Sequence, residues 1–95
     1  MPSFRITLTI GALLPGVAPD SVLSNLAAAA ELTTVEASDI AVVAGSPRAI
    51  VRFTADDAAM ALRVGAHVLA SARTEVEPVS WQVTERVKAR WNPVR

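Results

Sequence analysis

Apolar residues recur at two different spacings along this chain, and the order in which the spacings alternate leaves few folds open. Strict alternation over residues 3 to 12 predicts a strand, and helical spacing over 19 to 31 predicts a helix. Residues 33 to 55 contain two β-rich runs separated by Gly-Ser-Pro, which indicates a hairpin. A second helix is predicted over 55 to 72, and residues 79 to 91 alternate again. The predicted order is therefore strand, helix, strand, strand, helix, strand.

With right-handed crossovers, this order is that of the ferredoxin-like βαββαβ unit. We expect one α+β domain over residues 1–95, with an antiparallel sheet of strand order 4-1-3-2, a long C-terminal strand and both helices on one face. The alternative is a mixed α/β sandwich with a C-terminal helix, because Val79, Val83, Val87 and Trp91 also recur every four residues. The β-branched and aromatic content of that segment favours the strand.

The alternation also assigns the side chains of the sheet to its two faces. The face under the helices is predicted to carry Phe4, Ile6, Leu8, Ile10, Ala49, Val51, Phe53, Trp81 and Val83. The open face is predicted to carry Arg5, Thr7, Thr9, Arg48, Ile50, Arg52, Gln82, Thr84, Arg86, Lys88 and Arg90.

The last predicted strand is unusually long. A continuous strand over residues 79 to 91 would span roughly 40 Å, about twice the usual length, so its second half would extend beyond its own sheet. A second copy of the chain is the simplest cover for such an overhanging edge, which predicts a homodimer. The interface residues predicted in this way are Trp81, Val87, Ala89 and Trp91.

Composition supports association and excludes several classes of partner. The chain is 52% hydrophobic with a mean hydropathy of +0.38, which leaves a small domain with apolar surface to cover. Nine Lys and Arg balance nine Asp and Glu, so the whole molecule has no field that would attract nucleic acid or an acidic membrane. The first apolar run is interrupted by Thr7 and Thr9, which argues against a signal peptide. We expect a soluble, cytoplasmic protein without membrane association.

Residues able to perform catalysis or bind a metal are scarce. The chain has no cysteine, and His67 has no carboxylate three or four positions away on its predicted helix to orient it. Ser46 lies in turn sequence without a nucleophile motif, and Glu36 and Asp39 lack the spacing of a calcium loop. We therefore predict no catalytic, cofactor-binding or metal-binding residue, and a protein that is not an enzyme.

A basic row forms the second candidate site. The possible contacts with an anion or a partner are Arg5, Arg52, Arg86, Lys88 and Arg90. Such a row can follow a phosphate backbone. RNA-binding domains of this architecture, however, stack bases on aromatic side chains of the two central strands, and the predicted central strands carry no aromatic residue on their open face. A nucleic-acid-binding domain therefore stays an alternative to the protein interaction.

The strand, Pro15-Gly16 and helix near the start resemble the opening of amino-acid-binding regulatory domains of the ACT type, which share the βαββαβ order. The resemblance covers only Pro15, Gly16 and the apolar pattern around them, and it assigns no binding residue. Our main hypothesis is a non-enzymatic interaction or scaffolding module that self-associates through its C-terminal strand. The alternatives are the nucleic-acid-binding domain and a small-ligand-binding domain or cofactor-free enzyme of the dimeric α+β barrel kind.

Overall fold

The computed structural model describes residues 2–94, with only the backbone described at Pro19 and Asp20. Its elements are β1 (Ser3–Leu13), α1 (Pro19–Ala29) continued by a 3₁₀ turn (Ala30–Leu32), β2 (Val35–Val43), β3 (Ser46–Thr54), α2 (Ala58–Ala72), β4 (Val76–Val87) and β5 (Arg90–Pro93). Neither helix in residues 2–94 is long and apolar enough to cross a membrane.

The five strands form one antiparallel sheet in the order β2-β3-β1-β4-β5. The protein is therefore α+β, as expected, but the order differs from the predicted four-strand order 4-1-3-2. The difference arises at the C-terminus, where the segment predicted as one long strand divides into β4 and β5. Because β5 pairs with β4, it forms one edge of the sheet, and β2 forms the other.

The alternation of the strands directs one row of apolar side chains under the helices. Phe4 and Phe53 stack with ring centroids 6.1 Å apart, and α1 and α2 supply residues such as Leu26 and Val64 to the same core. Of the side chains predicted to lie under the helices, Ile10 is only partly buried and Trp81 is 43% exposed. The remaining seven are buried: Phe4, Ile6, Leu8, Ala49, Val51, Phe53 and Val83.

The second helix begins later than the sequence pattern predicts. Asp57 is its N-cap and accepts a hydrogen bond from the Met60 N–H at 2.8 Å, so the helix runs from Ala58 instead of from 55. Asp57 favours a start at this point because its carboxylate accepts from one of the first-turn N–H groups, which have no partner within the helix.

A two-residue turn ends the fourth strand and overturns the prediction of an overhanging ribbon. Lys88 and Ala89 both have positive φ, 48° and 67°, which is the backbone of a type I′ hairpin. The chain then returns as β5, and the Val94 N–H donates to the Val83 carbonyl. The C-terminal segment is therefore paired within its own sheet and does not extend beyond it.

Gly65 marks the closest approach of α2 to the sheet and gives a first test of the packing. A Cβ at this position would lie 2.6 Å from a methyl group of Val83. We expect Gly65→Ala to lower the free energy of unfolding by about 1 to 3 kcal/mol, because overpacking outweighs the better helix propensity of alanine. Urea denaturation measures this change. The double variant with Val83→Ala should recover part of the loss, and a Gly65→Ala protein more stable than wild type would contradict the packing.

Candidate binding surfaces

The open face of the sheet brings like charges together. Arg5 on β1 and Arg52 on β3 are direct cross-strand partners, and both side chains are half-buried. Directly opposite residues of an antiparallel pair have Cβ atoms about 5 Å apart, where like charges are destabilising. The alternation of the strands explains why both arginines point to this face, since their neighbours Ile6 and Val51 are in the core.

Trp91 on β5 covers this pair of arginines. The indole centroid lies 4.4 Å from Cζ of Arg5 and 5.5 Å from Cζ of Arg52. Trp91 is opposite Arg86 in the β4–β5 ladder, and its ring crosses β4 to reach β1 and β3. Thr84, which lies between them on β4, is only 7% exposed as a result. Cation–π contacts of this kind contribute about 0.5 to 2 kcal/mol and offset part of the charge repulsion.

Glu36 supplies the negative charge next to the pair. Its Oε1 accepts a hydrogen bond from Ser3 Oγ at 2.8 Å and lies 3.7 Å from Arg52 Nε. Both members of this ion pair are about one third exposed, so it stabilises the fold by less than about 1 kcal/mol. It is the one ion pair among the described side chains, and none of those carboxylates lies within 4 Å of a charged nitrogen of Arg5 or Arg48.

Two shallow depressions lie on the open face. One, of about 320 Å³, is lined by Thr7, Thr9, Arg48, Ser80, Trp81 and Gln82. The other, of about 190 Å³, is lined by Arg5, Ala37, Ser38, Asp39, Ile50, Arg52 and Trp91. Each depression therefore has at least one arginine and several polar groups in its wall.

The structure brings together only part of the predicted basic row. Arg5 and Arg52 meet under Trp91, and Arg86 lies on the same face opposite Trp91. Lys88 is in the β4–β5 turn, and Arg90 is opposite Val87, on the other face of the sheet. The prediction of one continuous row is wrong because the turn ends the alternation at Val87. Arg48 was assigned to the open face by its position in β3 but was not recognised as part of the site.

The four predicted interface residues do not share one surface. Trp81 and Val87 point to the helix side of β4, Ala89 is in the turn, and Trp91 lies on the open face. The overhang from which the interface was inferred is absent. A role of these residues in assembly stays a prediction, but it no longer follows from strand length.

The edge strand β2 exposes backbone and apolar side chains together. It has nine residues, and within residues 2–94 no strand pairs with its outer side. Ile40, Val42 and Val43 are 41%, 71% and 43% exposed. The Ile40 N–H donates at 2.8 Å to Oδ1 of Asp39, a side chain next to it, instead of to β3. This amide therefore marks the outer edge of the strand.

The side chains considered for catalysis or metal binding are dispersed. His67 is exposed on α2, and Ser46 begins β3. Glu36 contacts Ser3 and Arg52, whereas Asp39 accepts the Ile40 amide. In the part of the chain that the structure describes, no three His, Cys, Asp or Glu side chains group as metal ligands.

No family model, curated protein or solved structure matches this chain.

Proposed function

We propose that the protein is a non-enzymatic interaction module that forms a homodimer, with the outer side of β2 as the contact. In fold terms we propose a ferredoxin-like domain to which β5 has been added at one edge. The main support for a dimer is that β2 is a nine-residue edge strand with three exposed β-branched side chains. Strands of this kind are templates for pairing with another chain.

The other edge of the sheet is a weaker candidate for assembly. β5 has four residues and ends at Pro93, and prolines and short strands are two of the features that protect a sheet edge from pairing. β2 has neither a proline nor a lysine along its length. Self-association is therefore better placed at β2 than at the C-terminal strand for which we first predicted it.

The sequence of β2 permits antiparallel pairing with a second copy about a two-fold axis. If the axis passes at Ile40, each Ile40 is opposite the Ile40 of the second copy, and Asp39 is opposite Ala41. The two Asp39 carboxylates are then diagonal neighbours about 7 to 8 Å apart instead of direct partners. Val42 is opposite Ser38, so its methyl groups lie against a small side chain. This register buries apolar surface without placing like charges opposite one another.

Asp39 limits the strength of this contact. Pairing requires the Ile40 N–H to exchange its bond with Asp39 for a bond to the second copy. A hydrogen bond exchanged for another contributes little net free energy, so the gain comes mainly from burial of Ile40 and Val42. We therefore expect a reversible dimer in the micromolar range instead of an obligate one.

Pairing through the open faces, as in dimeric α+β barrels, is disfavoured by charge. Two facing copies would bring together Arg5, Arg48 and Arg52 of both chains, with Glu36 as the one carboxylate that forms an ion pair on each described face. Burial of unpaired charges costs several kcal/mol each. We therefore place the second copy at the edge of the sheet and leave the open face accessible.

Disulfide trapping tests this pairing directly, since the chain contains no cysteine. Directly opposite hydrogen-bonded residues have Cα atoms about 5.5 Å apart, which suits a disulfide. We expect Ile40→Cys to form a covalent dimer under mild oxidation, seen on a non-reducing gel. The control is Ala66→Cys, at an exposed position of α2. Equal rates of crosslinking for the two variants would contradict pairing through β2.

A further inference from the structure

Three of the arginines on the open face are held in an unfavourable state. Nε of Arg5, Arg48 and Arg52 is covered and has no hydrogen-bond partner in the structure. A buried donor without a partner lowers stability, and the loss is larger for a charged group. Arg5 and Arg52 also repel one another as cross-strand partners. Arg5, Arg48 and Arg52 together form the cationic face of the protein.

Trp91 keeps two of these arginines in place. The indole packs on the guanidinium groups of Arg5 and Arg52 and so restricts their rotamers. Guanidinium groups ordered in advance lose less conformational entropy when an anion binds, which favours affinity. Two of the three charged side chains are thus organised before any ligand arrives.

The surroundings of Arg48 provide neutral hydrogen-bond donors. Arg48 is opposite Thr9 in the β1–β3 ladder, and the depression beside it is also lined by Thr7, Ser80 and Gln82. Hydroxyl and amide groups can donate to those oxygen atoms of a bound anion that do not face the guanidinium. Arg48 and these neutral donors line one depression, and Arg5 and Arg52 line the other; Thr7 in the first wall and Ile50 in the second are cross-strand partners, so the two depressions adjoin. Cations and neutral donors on adjoining surfaces suit an anion with several acceptor oxygens.

We propose that the open face binds a compact phosphate-bearing ligand, held by the cationic face and by the hydroxyl groups beside Arg48. A phosphate group carries up to two negative charges and at least three acceptor oxygens, and it matches the planar fork of arginine. The depressions of about 320 and 190 Å³ have room for a small ligand. Asp39 lines the smaller depression and Glu36 pairs with Arg52, so these carboxylates weaken the attraction for an anion on the β2 side and disfavour a long polyanion that crosses the sheet. The larger depression, beside Arg48, has no carboxylate among its lining residues.

Binding can be measured through Trp91 itself. The chain has two tryptophans, and Trp81→Phe leaves Trp91 as the one emitter. Because Trp81 lines the larger depression, the affinity of the wild-type protein is measured in parallel by isothermal titration calorimetry. In the Trp81→Phe background we expect pyrophosphate to change the Trp91 emission in a saturable and salt-sensitive manner, because the anion binds the guanidinium groups that contact the indole. Inorganic phosphate and a single-stranded oligouridine are titrated in parallel, to separate a compact ligand from a nucleic-acid strand.

The decisive variant is Arg48→Gln, because Arg48 is not one of the two arginines that contact Trp91. We expect pyrophosphate affinity to fall by about tenfold or more, as loss of a charged hydrogen-bond donor predicts. The control Arg63→Gln removes the same charge from an exposed position of α2 and should change the affinity for pyrophosphate by less than about twofold. Val42→Lys should retain binding, which keeps this test separate from the dimer.

Three outcomes would overturn the proposal. The first is the absence of saturable binding of pyrophosphate to the folded wild-type protein in calorimetry. The second is equal affinity of the Arg48→Gln and Arg63→Gln variants, which would show that only overall charge matters. The third is tight binding of oligouridine without binding of pyrophosphate, which would indicate a nucleic-acid strand as the ligand.

Discussion

Replacing Trp91 with alanine is expected to lower the free energy of unfolding by about 2 to 3 kcal/mol. The indole is half-buried, so roughly 100 Å² of its surface is removed from water, worth about 2.5 kcal/mol at 25 cal/mol per Å². Its loss also removes the cation–π contacts with Arg5 and Arg52, which leaves two adjacent positive charges without that compensation. Urea denaturation followed by far-ultraviolet circular dichroism measures the change without relying on tryptophan emission.

Two controls define the cause of this loss. Trp81→Ala removes a tryptophan that is 43% exposed and has no arginine partner among the described residues, so its effect should be smaller. Arg86→Ala removes the residue opposite Trp91 in the β4–β5 ladder and should change stability by less than about 0.5 kcal/mol. If Trp91→Ala kept full stability but lost the dimer, Trp91 would belong to a subunit interface, as its sequence position first led us to predict.

Replacing Val42 with lysine is expected to raise the dissociation constant of the dimer by about ten- to a hundredfold. Val42 is 71% exposed on β2, and a lysine on an edge strand disfavours pairing through both charge and desolvation. A two-fold interface contains the substitution twice, so a loss of about 1 kcal/mol in each copy lies within this range. Sedimentation equilibrium at matched salt concentrations measures the constant.

The matched control is Val79→Lys, a 69% exposed valine on β4, which makes the same chemical change away from β2 and should leave association unchanged. Asp39→Ala should strengthen association, because it frees the Ile40 N–H for pairing and removes a carboxylate from the outer side of β2. Equal weakening by Val42→Lys and Val79→Lys would mean that the contact is not at β2.

The spacing of apolar residues correctly predicted the elements that bury one side against the core. Phe4, Ile6 and Leu8 alternate with polar residues, and all three are buried as this pattern predicts. The strand β3 and both helices follow for the same reason, whereas β2, which is exposed along most of its length, was predicted from its β-branched content. The start of α2 was misplaced because Thr54 and Asp57 are both good N-cap residues, and sequence spacing alone does not decide between them.

The β4–β5 turn could not be predicted from local sequence. Type I′ turns need positive φ at both central residues and are normally marked by Asn-Gly or Asp-Gly, whereas this one is formed by Lys88 and Ala89. Tertiary contacts outweigh the local preference. Val94 packs against the core on the helix side, and Trp91 packs on the arginines of the open face.

This turn also explains why only part of the binding surface was foreseen. Alternation correctly assigned Arg5, Arg48 and Arg52 to the open face. A two-residue turn, however, places residue 91 opposite residue 86, so an odd-numbered position joins the face of the even-numbered ones. Trp91 therefore lies on the open face with Arg86, whereas uninterrupted alternation would place it on the opposite side. One undetected turn was enough to invert the face of the aromatic residue.

The central claim is that a second copy of the chain covers the outer side of β2, and sedimentation of the wild-type protein tests it most directly. A concentration series from low to high micromolar should show a monomer in rapid equilibrium with a dimer, and the Val42→Lys variant should shift the same series toward the monomer. A wild-type protein that stays monomeric at every concentration would contradict the account.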